Sequence, residues 1–485
     1  MSQTNDEVEK ENGGRFGQGF PPESIAIVGI SRNGRSKVPG YDGLRLFQGL
    51  RDYGYAGRLY PVNPKADEIL GEKAYASVVD IPERLDLAIV TVPAPAVPRV
   101  IDDCAAAGVR YVHVCSSGFG ETGLAEGLRL EEELREKALK GGVRIIGPNC
   151  MGFNVPSKRI TTFPDIGVLP EGGVGLISQS GGHARLFMMN AASMGLGLSA
   201  AISYGNGLML DAVDFIEYLA EDDRTQVICV YLEGIRDGRR LAETVRRIVP
   251  KKPVIIWKGG LTDAGSRAAA SHTGSMAGSE AIWRAFYRQT GAVRVDTLEE
   301  MAEAAMAFQM LRPLPGARAA VMTMGGGSTV QSGDLCGRAN LAVPRFSPET
   351  QKEIPKFVSS VNQGLSNPMD VPGVLMDPIA FTRLLRVVAQ DPNIDVLLVG
   401  LPVEAALGGF GQTTQALVDF NRESPHGKQV AAAITDNWGP HEIEKQCREA
   451  REMGVPLFPT FTGACLALNR VAGYYRFLGR RDIRA

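Results

Sequence analysis

VIIWKGGLTDAGSRAAASHTGSMAG, residues 254–278, opens as an apolar run of the kind that makes a buried parallel strand and then breaks into a loop of Gly, Ala, Ser and Thr. One histidine, His272, stands at the centre of that loop. Ser271 and Thr273 flank it and Gly274 follows, so little side-chain bulk would keep a reacting group from the ring. A neutral imidazole presented this openly offers a nitrogen lone pair as base, metal ligand or nucleophile. The metal reading lacks a second ligand, because the five histidines lie far apart at 113, 183, 272, 426 and 441. The bland alternative is a loop histidine bonded to backbone.

Upstream, SQSGG at 178–182 joins a strand to a small-residue loop and then to the helical pattern HARLFMMNAASMG. Ser180 and Gly181 would stand at that helix start, where unpaired amides and the helix dipole favour phosphate. Glu233 closes the strand ending in YLEG. Parallel neighbours would bring its loop to the same sheet edge as His272, where a carboxylate could orient the ring; an exposed strand-end carboxylate is the alternative.

Earlier still, SIAIVGIS runs into a glycine loop and the helix LRLFQGLRDYG, the opening of a nucleotide-binding strand–helix–strand unit without a GxGxxG fingerprint. Strand, loop and helix then repeat at doubly wound spacing. Ligands in such sheets sit at the carboxyl ends of the strands, which nominates Gly29 to Arg32, Asn63 to Lys65, Val92 to Pro95, Ser116 to Gly118 and Pro148 to Asn149. A third unit, from ARAAVMTMGGGST onward, repeats the architecture without a histidine loop; Gly325 to Gly327 either bind phosphate or permit close packing, and packing or an interface is the favoured role. The expected fold is therefore α/β with three doubly wound units, a Rossmann-like domain followed by two flavodoxin-like domains. Expected boundaries are a disordered tail at 1–20, then 21–152, 153–312 and 313–485, with 154–171 irregular.

At 485 residues, 44% hydrophobic and with a formal net charge of -2, the chain gives no sign of a nucleic-acid or anionic-membrane surface. The seven cysteines show no metal-ligand spacing and suit reduced thiols in a cytoplasm. No apolar run approaches the roughly 18 residues of a membrane span.

The run SRAAASHTGSMAG, with YLEG, SQSGG, SIAIVGIS, YPVNPK, IGPNCMG and NPMD, resembles the alpha subunit of the NDP-forming acyl-CoA synthetases, the ADP-forming acetyl-CoA synthetases and their kin the succinyl-CoA synthetase alpha subunit. The likeness spans about residues 22–475. It implies a CoA-binding Rossmann-like domain, a phosphohistidine ligase domain and a further ligase-like domain. The implied enzyme is an acid–thiol ligase that reversibly forms acyl-CoA from a carboxylic acid, CoA and ATP through an acyl phosphate and a phosphohistidine at His272. Implied roles are Glu233 orienting His272, Ser180, Gly181 and Gly274 binding phosphate, and Gly29, Ser31, Arg32, Lys65, Pro93, Ser117 and Asn149 holding CoA. ATP, ADP and magnesium would sit mainly on a separate ATP-grasp beta subunit, making a cytoplasmic hetero-oligomer with no metal site on this chain. His183 departs from the small residue usual after SQSGG, as does GNGLMLD from its more charged form. The rival readings are a dehydrogenase, which the missing GxGxxG disfavours, and a non-catalytic CoA- or nucleotide-binding regulatory or scaffold protein, which would have little need of His272.

Overall fold

The computed structural model describes residues 16–17, 19–31, 42–166, 169–273, 278–361, 363–402, 411–435 and 440–482. Short apolar runs bounded by turn residues become β1 (Ser24–Val28), β2 (Arg58–Val62), a small hairpin of β3 (Glu68–Ile69) and β4 (Glu72–Lys73), β5 (Leu87–Val90), β6 (Tyr111–Val114) and β7 (Arg144–Ile146). β1, β5 and β6 are buried at every position. They carry no polar alternation because helices cover both faces, as parallel sheets require. The sheet runs in the order β2-β1-β5-β6-β7, all parallel.

A second sheet follows, built from β8 (Gly152–Val155), β9 (Ile160–Thr161), β10 (Glu171–Ser178), β11 (Leu198–Ser203), β12 (Val227–Leu232) and β13 (Val254–Lys258). Within the first compact unit its strands run in the order β13-β12-β10-β11-β8-β9. β10 to β13 are parallel, while β8 and β9 add antiparallel pairings at one edge. Residues 154–171, expected to be irregular, thus contribute part of β8 and the whole of β9. Strands this short show no readable period.

The chain packs as two compact units, one of residues up to Met189 with Gly197–Ala292, the other of Asn190–Leu196 with the residues from Val293 onward. Both sheets above belong to the first. The second unit holds β14 (Val293–Arg294), β15 (Ala319–Thr323), β16 (Met369–Asp370), β17 (Val396–Leu401), β18 (Val430–Ile434) and β19 (Leu457–Phe458). Its parallel sheet runs β16-β15-β17-β18-β19. The helix Leu298–Met310 also packs here, with Phe308 set edge-on to Tyr474 at 5.2 Å. The expected boundary at 312 falls after that helix. The three sheets share one winding, in which the second strand lies on one side of the first and the third on the other. Each therefore has a switch point where a crevice opens at the carboxyl ends: β1/β5, β10/β12 and β15/β17.

Two expectations need correction. Phe16 and Phe20 do not belong to a disordered tail, since both are buried. The Phe16 ring lies 5.3 Å from Tyr111, 4.9 Å from Phe215 and 5.2 Å from Tyr218, and Phe20 lies 5.2 Å from Phe153. Aromatic burial outweighs the polar composition around them. Residues 1–15 lie outside the described residues. Nor do the third glycines serve packing: a Cβ on Gly326 would meet nothing nearer than 3.6 Å, and one on Gly327 nothing within 4 Å. Gly325 is required for another reason, a φ of +96° that a side chain would strain.

Candidate active site

The parallel register sets Ser178 beside Tyr231, Tyr231 beside Trp257, and Leu232 beside Lys258, so β10, β12 and β13 end together. The loops carrying Ser180, Glu233 and the residues leading to His272 consequently leave one sheet edge, at the β10/β12 switch point.

Glu233 is buried, with 6% of its surface exposed, which settles against a solvated strand-end carboxylate. Gln179 grips its loop: one Gln179 amide oxygen accepts the backbone N–H groups of Glu233 at 2.8 Å and Gly234 at 3.0 Å, and the Tyr204 hydroxyl at 3.5 Å. The Tyr231 hydroxyl donates to Glu233 Oε1 at 3.2 Å, and Lys258 Nζ donates to the Glu233 carbonyl at 2.8 Å. Burial raises the Tyr231 phenol well above its ordinary range, and the Glu233 charge adds to the effect. A buried carboxylate that accepts the Tyr231 hydroxyl and stands on a backbone held by Gln179 and Lys258 is pre-organised, which is what a charge-stabilising partner in phosphoryl transfer needs.

At the neighbouring loop, Ser180 Oγ accepts the His183 N–H at 3.3 Å, and the Ser180 carbonyl accepts the Ser178 hydroxyl at 2.7 Å and the Ala184 N–H at 3.0 Å. Ser180 thereby caps the helix Gly181–Ser193. Gly181 answers a steric demand, because a Cβ there would lie 2.5 Å from Met151 Cγ. His183 stacks on Tyr231 at 4.4 Å and meets Trp257 edge-on at 5.1 Å, an aromatic wall beside the helix start.

His272 is not in an open loop. Its backbone lies in the last turn of the helix Asp263–Thr273, because the run DAGSRAAAS, read as loop for its small residues, is rich in alanine and forms helix. The His272 side chain and Gly274 lie outside the described residues. That helix runs alongside the turn Gly120–Thr122, which follows Ser117 at the edge of the first sheet. His113, by contrast, is a core histidine: it is fully buried, its Nε2 lies 3.1 Å from the Cys150 carbonyl, and burial lowers its pKa to about 4.

The nominated first-sheet residues gather at its carboxyl edge. Gly29 has a φ of +98°, and a Cβ there would lie 2.8 Å from Val92 Cγ1 across the β1/β5 switch point. Asn63 ties the next loop together, donating to the Ile30 carbonyl at 2.5 Å and accepting the Lys65 N–H at 2.8 Å. The Lys65, Pro93 and Ser117 residues are exposed and Ser31 and Asn149 half-buried, open enough to meet a ligand. Arg32 lies outside the described residues. Gln179, Tyr231 and Lys258 were not singled out from the sequence. Gln179 hides among the small residues of SQSGG, whereas Lys258, a charge ending the apolar run VIIWK, was a readable signal.

Comparison with known proteins bears on this geometry. A CoA binding domain model matches residues 23–156, and a succinyl-CoA ligase like flavodoxin domain model matches 171–308. Acetate--CoA ligase [ADP-forming] II subunit alpha of Pyrococcus furiosus is 37% identical over 444 residues, covering 90% of this chain and 93% of that protein. The chain belongs to the ADP-forming acetate–CoA ligase alpha-subunit family. Acetate--CoA ligase [ADP-forming] I of Archaeoglobus fulgidus is 34% identical over 96% of this chain, which spans 64% of that relative's length. Among solved structures, dinucleotide forming acetyl-coenzyme A synthetase 1 of Ca. Korarchaeum cryptofilum, in complex with phosphate and ADP, superposes with a TM-score of 0.80 at 32% identity, covering 96% of this chain and 97% of that one. This ligase subunit thus carries a CoA-binding domain ahead of its ligase domain. Among the described residues, no helix is long and apolar enough to cross a membrane.

Proposed function

We propose that this alpha subunit works with a separate ATP-grasp beta subunit to interconvert a small carboxylic acid, CoA and ATP with acyl-CoA, ADP and phosphate through a phosphohistidine at His272. The observation that carries the reading is Glu233, a buried carboxylate that accepts the Tyr231 hydroxyl and whose backbone is held by Gln179 and Lys258, at the sheet edge from which the His272 helix departs. In the synthetic direction a His272 ring nitrogen takes the γ-phosphoryl group of ATP and releases ADP. Glu233 balances the positive charge that grows on the ring. The substrate carboxylate then takes the phosphoryl group from His272, giving an acyl phosphate, and the CoA thiolate attacks its acyl carbon as orthophosphate leaves. The helix start at Ser180 and Gly181, together with Gly274, holds the phosphoryl oxygens, a role suited to the amides at a helix N-terminus.

CoA lies along the first-sheet edge, over Gly29, Ser31, Arg32, Pro93, Ser117 and Asn149, with the exposed Lys65 beside its phosphates. The residues fit: the glycine that allows close backbone approach and the exposed groups share one edge. Of the expected domains, 21–152 gains the packed Phe16 and Phe20, and the boundary expected at 312 moves to Val293, where the second compact unit begins. Magnesium and nucleotide are assigned mainly to the beta subunit. Relatives named alpha subunits, matched over 93% and 96% of their length, support a partner chain. The buried free cysteines among the described residues suit a reducing cytoplasm.

The test is reconstitution. The chain mixed with an ATP-grasp beta subunit of this family should form acyl-CoA from at least one acid in a panel of short carboxylic acids with ATP and CoA, and the chain alone should form none. Synthesis by the chain alone would overturn the partner assignment; none from the pair across the panel would overturn the activity.

A further inference from the structure

Lys258 ends β13, and among the described residues it is the lysine that is buried, with 5% of its surface exposed. Nothing in the described contacts is a direct carboxylate partner for it. Its Nζ instead donates to two backbone carbonyls, that of Glu233 at 2.8 Å and that of Gly259. It also lies 5.8 Å from the centre of the Trp283 ring. Gly278 lies close to this pair: a Cβ on it would lie 2.6 Å from Trp283 Nε1 and 3.5 Å from Lys258 Cε. The ammonium group itself touches the Glu233 backbone and Gly259, the first residue of the chain leading into the His272 helix.

Burying an ammonium costs several kcal/mol, and an apolar side chain of similar volume would fill the same space without that cost. The lysine head satisfies two carbonyls that β-strand pairing does not, but a purely structural device has no need of a full charge 2.8 Å from the backbone of a catalytic carboxylate. We propose that Lys258 is a positioning residue of the phosphoryl-transfer site, tying the Glu233 loop to Gly259 at the start of the chain that leads into the His272 helix, so that the two elements keep their spacing through the transfer. This rests on the reading of His272 as phosphoryl carrier. Burial lowers the pKa of Lys258, and the Glu233 charge opposes that shift.

The experiment uses the full chain and phosphorus-labelled acetyl phosphate. A His272 nitrogen attacks the phosphorus, the bond to the acyl oxygen breaks and acetate leaves, so labelling needs no partner subunit. Lys258→Met keeps the side-chain volume. It should slow labelling at saturating acetyl phosphate about tenfold to a hundredfold, the scale of a small misplacement in an active site. CoA affinity by calorimetry should stay within about twofold. The loss should fall on the labelling rate at saturation and leave the half-saturating acetyl phosphate concentration within about twofold, a split that a general loosening of the fold would not give. Lys258→Arg, which keeps a charged donor, should recover part of the rate. Should Lys258→Met fail to fold, Lys258→Gln, which can still donate to the Glu233 carbonyl, decides by the same split. A wild-type labelling rate in the variant overturns the role of Lys258 and leaves His272 standing. Label retained in His272→Ala overturns the carrier itself.

Discussion

Glu303 offers a prediction whose size follows from the structure. It lies in the helix Leu298–Met310 with 7% of its surface exposed, packed so closely over the start of the helix Phe461–Asp482 that a Cβ on Gly463 would sit 2.2 Å from its Oε1. Burial pushes the carboxyl from 4.5 up to about 7; Glu300 and Glu299 push the same way, while Arg470 and Arg451 oppose. A carboxyl whose folded pKa is raised stabilises the fold below its unfolded pKa and loses that contribution as pH rises through the folded value. The window is thus from about 4.5 to about 7. Each pKa unit is worth about 1.4 kcal/mol, so the second unit carries a penalty of about 3 kcal/mol at pH 8 that is absent at pH 4. Glu303→Gln, neutral throughout, should remove most of it. Hydrogen exchange of the peptide spanning 298–310 in the full chain should slow at pH 8 by an opening free energy of about 1–3 kcal/mol after correction for intrinsic rates, with little change near pH 4.5. Equal protection in variant and wild type at both pH values would refute the argument, showing that Glu303 stays ionised and compensated.

Three further outcomes are expected. Lys65→Ala should weaken CoA binding in calorimetry while leaving phosphorylation of the chain intact; unchanged affinity would remove Lys65 from the site. Phe20→Ala should lower the stability of the first unit by about 3–5 kcal/mol, the usual cost of deleting a buried aromatic ring, and a loss under 1 kcal/mol in thermal or denaturant unfolding would show that the aromatic cluster tolerates its absence. Gly325→Ala should cost at least about 1 kcal/mol because of its positive φ, whereas Gly326→Ala, with open space around it, should cost less than half as much; equal losses in paired melts would contradict the strain argument.

The repeated strand–glycine loop–helix pattern was legible because parallel strands covered on both faces read as bare apolar runs: SIAIV and VIIW both became fully paired strands at the expected places. Which strands adjoin was partly legible, since doubly wound folding puts YLEG beside SQSGG. What composition could not show was long-range packing. Phe16 and Phe20 look like residues of a polar tail until Tyr111, Phe215 and Tyr218, distant in sequence, surround them. The helix around His272 was hidden because its alanines and serines serve loops and helices alike. Gln179 and Lys258 act on Glu233 across strands, and no spacing along the chain encodes such contacts.

His272 as the phosphoryl carrier is the central claim. The chain exposed to acyl phosphate, digested at neutral to basic pH and sequenced by mass spectrometry should bear one acid-labile, base-stable phosphate on His272. His272→Ala should bear none. Glu233→Gln should be labelled more slowly by tens to about a thousandfold, the loss of roughly 2–4 kcal/mol of transition-state stabilisation expected for one charge-assisted partner. A phosphate that persists in His272→Ala, or that maps to His183, would contradict the central claim.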